Sequence, residues 1–147
     1  MTFLSIRQLS KSYDSHVALH DFSLELSRGE FLSIVGESGS GKSTLLRMIA
    51  GLMTQSDGEV WLDGRLIENP AQKLVPGYDE IKLIHQDYQL FPNSTVEENI
   101  NRPLLQYDAK YRSQRVNRLL VQFGLENYKD RLPRQLSGGQ QQKVAIA

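Results

Sequence analysis

The sequence contains no cysteine in 147 residues, which excludes disulfides and thiolate metal sites. It has no excess of either charge, with Lys+Arg and Asp+Glu at 17 each. Duplex DNA binders carry a basic surplus that neutralises phosphates, so this balance counts against nucleic acid as the main partner. It also lacks any run approaching the roughly 20 apolar residues that span a bilayer. The longest candidate, Leu45 to Met53, is short and interrupted by Arg47. The start, Met1-Thr2-Phe3-Leu4-Ser5-Ile6-Arg7, lacks the charged head and apolar core of a signal peptide. Any membrane role is then expected to come through a partner. Hydrophobic residues at 39% and charged residues at 23% suit one globular domain.

The apolar pattern predicts strands over Phe3 to Arg7, Val17 to Leu26, Phe31 to Val35, Glu59 to Leu62 and Ile81 to Ile84. Asp63-Gly64 reads as a hairpin turn, and Asn69 to Gly77, with two prolines, as loop. Helices are predicted over Ser43 to Ala50, with Leu45, Leu46 and Ile49 inward and Gly51 as a stop. Two more are predicted over Thr95 to Leu105 and Ala109 to Phe123, the second with Val116, Leu119, Leu120 and Phe123 inward. Arg112, Arg115 and Arg118 read as a solvated helix face. A last helix opens after Ser137-Gly138-Gly139. The chain stops at Lys143-Val144-Ala145-Ile146-Ala147 inside that helical pattern, without a cap or stop signal, and a cut rather than a natural end is expected there.

Gly36-Glu37-Ser38-Gly39-Ser40-Gly41-Lys42-Ser43-Thr44 fits G-x-x-x-x-G-K-[ST] between a predicted strand and a predicted helix. Glycines allow successive N–H groups to turn inward on an anion. The helix start adds unpaired amides and positive dipole charge. Lys42 is expected to reach the β- and γ-phosphates of a nucleoside triphosphate. The Ser43 hydroxyl is a hard oxygen donor of the kind Mg²⁺ takes. The bland alternative is a glycine-rich turn that merely caps a helix. A second glycine-bearing helix start, Leu136-Ser137-Gly138-Gly139-Gln140, has its Ser137 95 residues beyond Lys42. It too offers amides to an anion, unless Ser137 is simply an N-cap.

Together these motifs make the chain resemble the ATP-binding cassette (ABC) ATPases, over essentially its whole length. Leu136 to Gln140 is similar to that family's signature, LSGGQ. Gln86, within Ile84-His85-Gln86-Asp87-Tyr88-Gln89-Leu90-Phe91-Pro92, is similar to its Q-loop glutamine, which implies contact with Mg²⁺ and the attacking water and signalling to a transport partner. Tyr13, in Lys11-Ser12-Tyr13, stands where the family places an aromatic that stacks on adenine. The segment Leu90 to Ile100 is similar to transporter members, importers especially. His85 reads as a structural residue, because the family's catalytic histidine lies further downstream. Phe91-Pro92 reads as packing near the membrane-subunit contact. Lys143 stands where the family often has arginine.

The resemblance implies an α/β fold: a P-loop NTPase core with a mainly parallel sheet, an antiparallel β subdomain, and a helical insert over 95–135, within one nucleotide-binding domain over 1–147. It implies ATP and Mg²⁺ as cofactors, the metal held by Ser43 and Gln86. It further implies a homodimer or pseudo-dimer in which the signature of one subunit faces the P-loop of the other. Transmembrane permease subunits, and for an importer a solute-binding protein, are the expected partners, on the cytoplasmic face of the plasma membrane. The family's aspartate-ended strand (Walker B) and catalytic glutamate have no counterpart in residues 1–147, so the chain reads as truncated after the signature helix, with an exposed apolar sheet edge. The alternatives are a non-transport ABC ATPase, acting in translation or DNA repair, and a nucleotide-binding module without catalysis.

Overall fold

A computed structural model describes residues 2–14 and 16–147; Met1 and Ser15 lie outside the described residues. The chain divides into two compact units, Met1–Leu83 and Ile84–Ala147.

The first unit is built on four antiparallel strands: β1 (Thr2–Tyr13), β2 (His16–Ser27), β3 (Asp57–Leu62) and β4 (Arg65–Leu66), in the order β2-β1-β3-β4. In the central strand, Ile6 lies between Leu24 of β2 and Val60 of β3. Ile6 and Leu9 are both buried although they are three residues apart. Strict alternation would put them on opposite faces. A bulge resolves this: the register shifts between them, and Gln8 turns to a φ of 48°. The amides displaced there are satisfied by serine hydroxyls, Gln8 N donating to Ser23 Oγ at 2.9 Å and Asp21 N to Ser10 Oγ at 3.0 Å. Asp63 and Gly64, with φ of 49° and 78°, close the β3–β4 hairpin as the sequence predicts.

Helix α1 (Lys42–Ile49) buries Leu45 and Met48 against Ile6, Leu9, Val60, Leu62 and Ile67. Leu46, predicted inward, is 43% exposed. The helix starts at Lys42, and its inward stripe is 45, 48 and 49, which leaves 46 at the edge.

Two predicted strands are absent. Residues 31–35 form no strand: Phe31 and Val35 are fully or almost fully exposed, and only Ile34 packs on the core. Ile81 makes a single bridge, to Tyr78, and nothing beyond it pairs. An apolar run becomes a strand only when another strand takes its backbone donors and acceptors. Among the described residues every ladder is antiparallel and belongs to β1–β4, so the expected parallel sheet does not form. What stands exposed is an unpaired apolar segment and not a sheet edge. Arg65 of β4 pairs with Glu80. The Glu80 carboxyl is held below its usual range by a backbone hydrogen bond and by that guanidinium.

The second unit is helical: α2 (Val96–Asn101), α3 (Ala109–Phe123) and α4 (Gly138–Ile146), with short 3-10 turns between them. Its core is Val96, Ile100, Val116, Leu119, Leu120, Leu125, Leu136 and Val144. A capping box opens α2, with Thr95 Oγ1 accepting from Glu98 N at 3.2 Å and Glu98 Oε2 accepting from Thr95 N at 2.7 Å. The predicted helix to Leu105 ends as α-helix at Asn101 and continues as a 3-10 turn over Arg102–Leu104. Pro103 lacks the N–H that an α-helix would use there. Helix α3 has the predicted bounds, with Asp108 as N-cap and Gly124 closing it. Arg115 and Arg118 are exposed as expected, but Arg112 is half-buried and its Nε has no partner.

Asn99 is the buried polar anchor of this unit. Its Oδ1 accepts from Phe91 N at 2.8 Å, and its Nδ2 lies within 3.2 Å of the carbonyls of Phe91, Ser94 and Thr95. It thus ties the 91–95 loop to α2. Asn99→Ala is expected to destabilise the full-length protein by about 1–3 kcal/mol, because buried backbone groups lose their partner. Urea unfolding measures this, and a loss near zero would mean that the loop is held by other contacts.

Candidate functional site

The first unit holds the loop from Gly36 to Thr44. It enters helix α1 through Gly41, which caps the helix in the left-handed conformation with φ of 85°. A side chain there would be strained, and its Cβ would collide with the carbonyl oxygen of Ala18 on β2. Glycine is therefore required both by the backbone and by the close approach of the sheet. Cap and first turn supply no side-chain hydrogen bond and no acidic residue. The amides of Lys42, Ser43 and Thr44 are thus left as outward-facing donors, with the positive end of the helix dipole behind them. Ser40 N bonds back to Glu37 O at 3.2 Å and closes the loop through Ser38 and Gly39.

The Lys42 side chain folds over this loop. Its ammonium donates to Gly36 O at 2.8 Å, Glu37 O at 2.6 Å and Ser40 Oγ at 3.1 Å. A positive charge is therefore held against three oxygens of the loop. Ser43 is exposed on the first turn, and Thr44 is half-buried.

Tyr13, in the same unit, ends β1 and is 44% exposed. Its hydroxyl donates to Met53 Sδ at 3.1 Å, and the Lys11 ammonium lies 5.0 Å from the ring centroid. Neither Lys11 nor Met53 stands out in the sequence. The i, i+2 spacing of Lys11 and Tyr13 on one strand face was the available signal for the first.

The other predicted residues lie in the second unit. Gln86 is exposed at the start of a turn over 86–89, fixed by Tyr88 N to His85 O at 3.0 Å and Gln89 N to Asp87 O at 2.7 Å. Tyr88 and Gln89 take positive φ there. Phe91 is half-exposed under the Arg102 guanidinium, 3.6 Å from the ring centroid. At the start of α4, Leu136 is the buried anchor, and Gln141 Nε2 donates to the carbonyls of Pro133 and Leu136 at 3.1 and 3.2 Å. Ser137 is indeed the N-cap: its Oγ accepts from Gln140 N at 3.3 Å, while Gln140 Oε1 accepts from Ser137 N at 2.9 Å. The final glutamine of the motif is thus the second half of a capping box, which the S-x-x-Q spacing encodes. Gly138 and Gly139 are the first two helical residues, and their amides have no i−4 carbonyl to meet. Almost nothing covers them, the nearest group to a Cβ on Gly138 being the Tyr88 hydroxyl at 4.0 Å.

The two units thus carry two separate anion-ready helix starts, one armed with a lysine and one without charge. Among the described residues no group of His, Cys, Asp and Glu could hold a metal ion. For Mg²⁺ the Ser43 hydroxyl fits as one hard oxygen ligand. No helix of the described residues is long and apolar enough to cross a membrane.

Comparison with known proteins gives the same answer from three directions. Residues 19–147 match the family model described as ABC transporter. The spermidine/putrescine import ATP-binding protein PotA of Thermotoga maritima is 45% identical over 98% of this chain, which covers 39% of that protein. The putrescine transport ATP-binding protein PotG of Escherichia coli K12 is 44% identical over 98% of this chain, which covers 38% of it. The probable sulfate/thiosulfate import ATP-binding protein CysA of Chlorella vulgaris is 41% identical over 97% of this chain, which covers 59% of it. The chain therefore spans less than two-thirds of each of these curated relatives. Among solved structures, the dimeric ATP-binding cassette MJ0796 bound to ADP and Pi matches with a TM-score of 0.81 and 32% identity, over 97% of this chain and 67% of that one.

Proposed function

This chain belongs to the ABC transporter family, and from that premise we propose that it is part of the ATP-binding subunit of an importer, coupling ATP binding and hydrolysis to solute uptake. The observation that carries the reading is the loop of 36–44, with the Lys42 ammonium held by three loop oxygens in front of the open amides of α1. That arrangement is built to take a triphosphate.

In this reading the amides of Lys42, Ser43 and Thr44 and the Lys42 ammonium hold the phosphates. The ammonium exchanges loop oxygens for phosphate oxygens, which carry more charge and bind it more strongly. Ser43 and Gln86 would hold Mg²⁺, which when bound neutralises the phosphates during transfer. Tyr13 carries the base. Leu136 to Gln140 act on the nucleotide of a second subunit: a two-fold pairing uses each loop and each signature twice. The dimeric state of the MJ0796 cassette supports this pairing. The helical stretch 95–135 and the Gln86 turn would meet transmembrane permease subunits, on the cytoplasmic face of the membrane, with a solute-binding protein delivering cargo. Import is favoured because PotA, PotG and CysA are named for import or transport of polyamines and sulfate.

Uptake of labelled putrescine, spermidine and sulfate, in cells carrying the wild-type gene or Lys42→Ala, tests the proposal. Loss of one uptake activity supports it. Normal uptake of all three, with a defect in translation or DNA repair, would favour the non-transport alternative.

Residues 1–147 by themselves are expected not to turn ATP over, and to keep residual phosphate or nucleotide binding at most. After Asp130 they contain no Asp or Glu, and neither Ser43 nor Gln86 is a general base. Phosphate release by this polypeptide at a rate near that of the full-length protein, and dependent on Lys42, would require a catalytic group not identified among these residues.

A further inference from the structure

We infer that Lys11 is a positioning residue for the base of the bound nucleotide, acting through Tyr13. The inference rests on the proposed stacking role of Tyr13 and adds a residue that the motifs do not contain.

Three observations carry it. The Lys11 ammonium stands over the Tyr13 ring, 5.0 Å from its centroid. The tyrosine hydroxyl donates to Met53 Sδ at 3.1 Å. Among the described residues no carboxylate pairs with Lys11, so the ring is the partner the ammonium has. The ring is therefore fixed at two points, one face under a cation and its para hydroxyl on a thioether, while the residue stays 44% exposed. An aromatic ring has two faces, and with Lys11 over one of them a stacking base would take the other.

Both faces of an aromatic ring carry negative partial charge, as do those of a purine, so stacking them works against that charge. A cation on the far face draws density toward itself. The near face becomes less negative and a better platform. The same contact limits ring rotation before the ligand arrives, so less side-chain freedom is lost on binding. Lys11 thus acts on the base through the ring and not on the phosphates, which Lys42 and the α1 amides already serve.

The test is calorimetric titration of the full-length protein with ATP and, separately, with inorganic tripolyphosphate, which has no base. The variants are Lys11→Met, Lys11→Arg, Tyr13→Leu and the Lys11→Met/Tyr13→Leu pair. Lys11→Met is expected to weaken ATP about two- to fivefold, to leave tripolyphosphate unchanged, and to add nothing once Tyr13 is leucine. Lys11→Arg should restore wild-type affinity. An equal loss for tripolyphosphate, an undiminished loss in the Tyr13→Leu background, or no loss for ATP would each overturn the inference. If Tyr13→Leu by itself leaves ATP affinity unchanged, the stacking role of Tyr13 fails first, and that result is distinct from the other three.

Discussion

Lys42→Ala is expected to abolish tight ATP binding by the full-length protein, raising Kd by about a hundredfold or more. Two charge-assisted hydrogen bonds to phosphate oxygens disappear, each worth about 1.5–3 kcal/mol, and every 1.4 kcal/mol is tenfold in Kd. The structure sharpens the control. The ammonium also bonds Gly36 O, Glu37 O and Ser40 Oγ, so its loss loosens the loop as well as removing the charge. Lys42→Arg separates the two effects. It keeps the charge, but a planar fork does not fit a socket sized for a compact ammonium, and binding is expected to stay weak. Calorimetry reads the affinity and thermal unfolding checks the fold. Unchanged affinity in Lys42→Ala would remove the assignment of the 36–44 loop to phosphate.

Gly138→Asp is expected to block ATP turnover while leaving nucleotide binding to the isolated subunit intact. Nothing in the second unit opposes the new side chain, since the nearest group is the Tyr88 hydroxyl at 4.0 Å from the added Cβ. An acidic residue in the first turn of α4 even suits the helix dipole. The variant therefore folds, and it places a carboxylate where the proposed dimer needs a phosphate. Ser137→Arg is expected to act the same way but is less clean, because it also removes the N-cap of α4, at a cost of about 1 kcal/mol. Size-exclusion chromatography with ATP and magnesium should show the wild type as a dimer and both variants as monomers. Normal phosphate release by Gly138→Asp would argue against a signature that acts across subunits.

Much of this was legible in the residues, for reasons that differ by element. Helix α3 has its predicted bounds because Asp108 and Gly124 are local signals at its two ends and Val116, Leu119 and Leu120 lie on one stripe. The Asp63-Gly64 turn is likewise decided by its own two residues. The turn into α1 at Gly41 and the capping box at Ser137 are legible because their glycine and capping residues act within a few positions of themselves. The segments 31–35 and 81–84 have the composition of strands, yet a strand is completed by its neighbour. Phe31 and Val35 stand exposed because none of the described residues pairs with that run. The bulge at Gln8 and the anchoring of the 91–95 loop by Asn99 are not legible in the sequence. Each depends on which side chains the folded chain brings side by side.

The most direct test of the account is to isolate the tagged full-length protein from detergent-solubilised membranes of its own host and to measure ATP hydrolysis by what is recovered. The account predicts that integral-membrane permease subunits come with it, that the complex hydrolyses ATP, and that Lys42→Ala keeps those partners while losing hydrolysis. Recovery with ribosomes or nucleic acid and no membrane partner, or hydrolysis that survives Lys42→Ala, would contradict it.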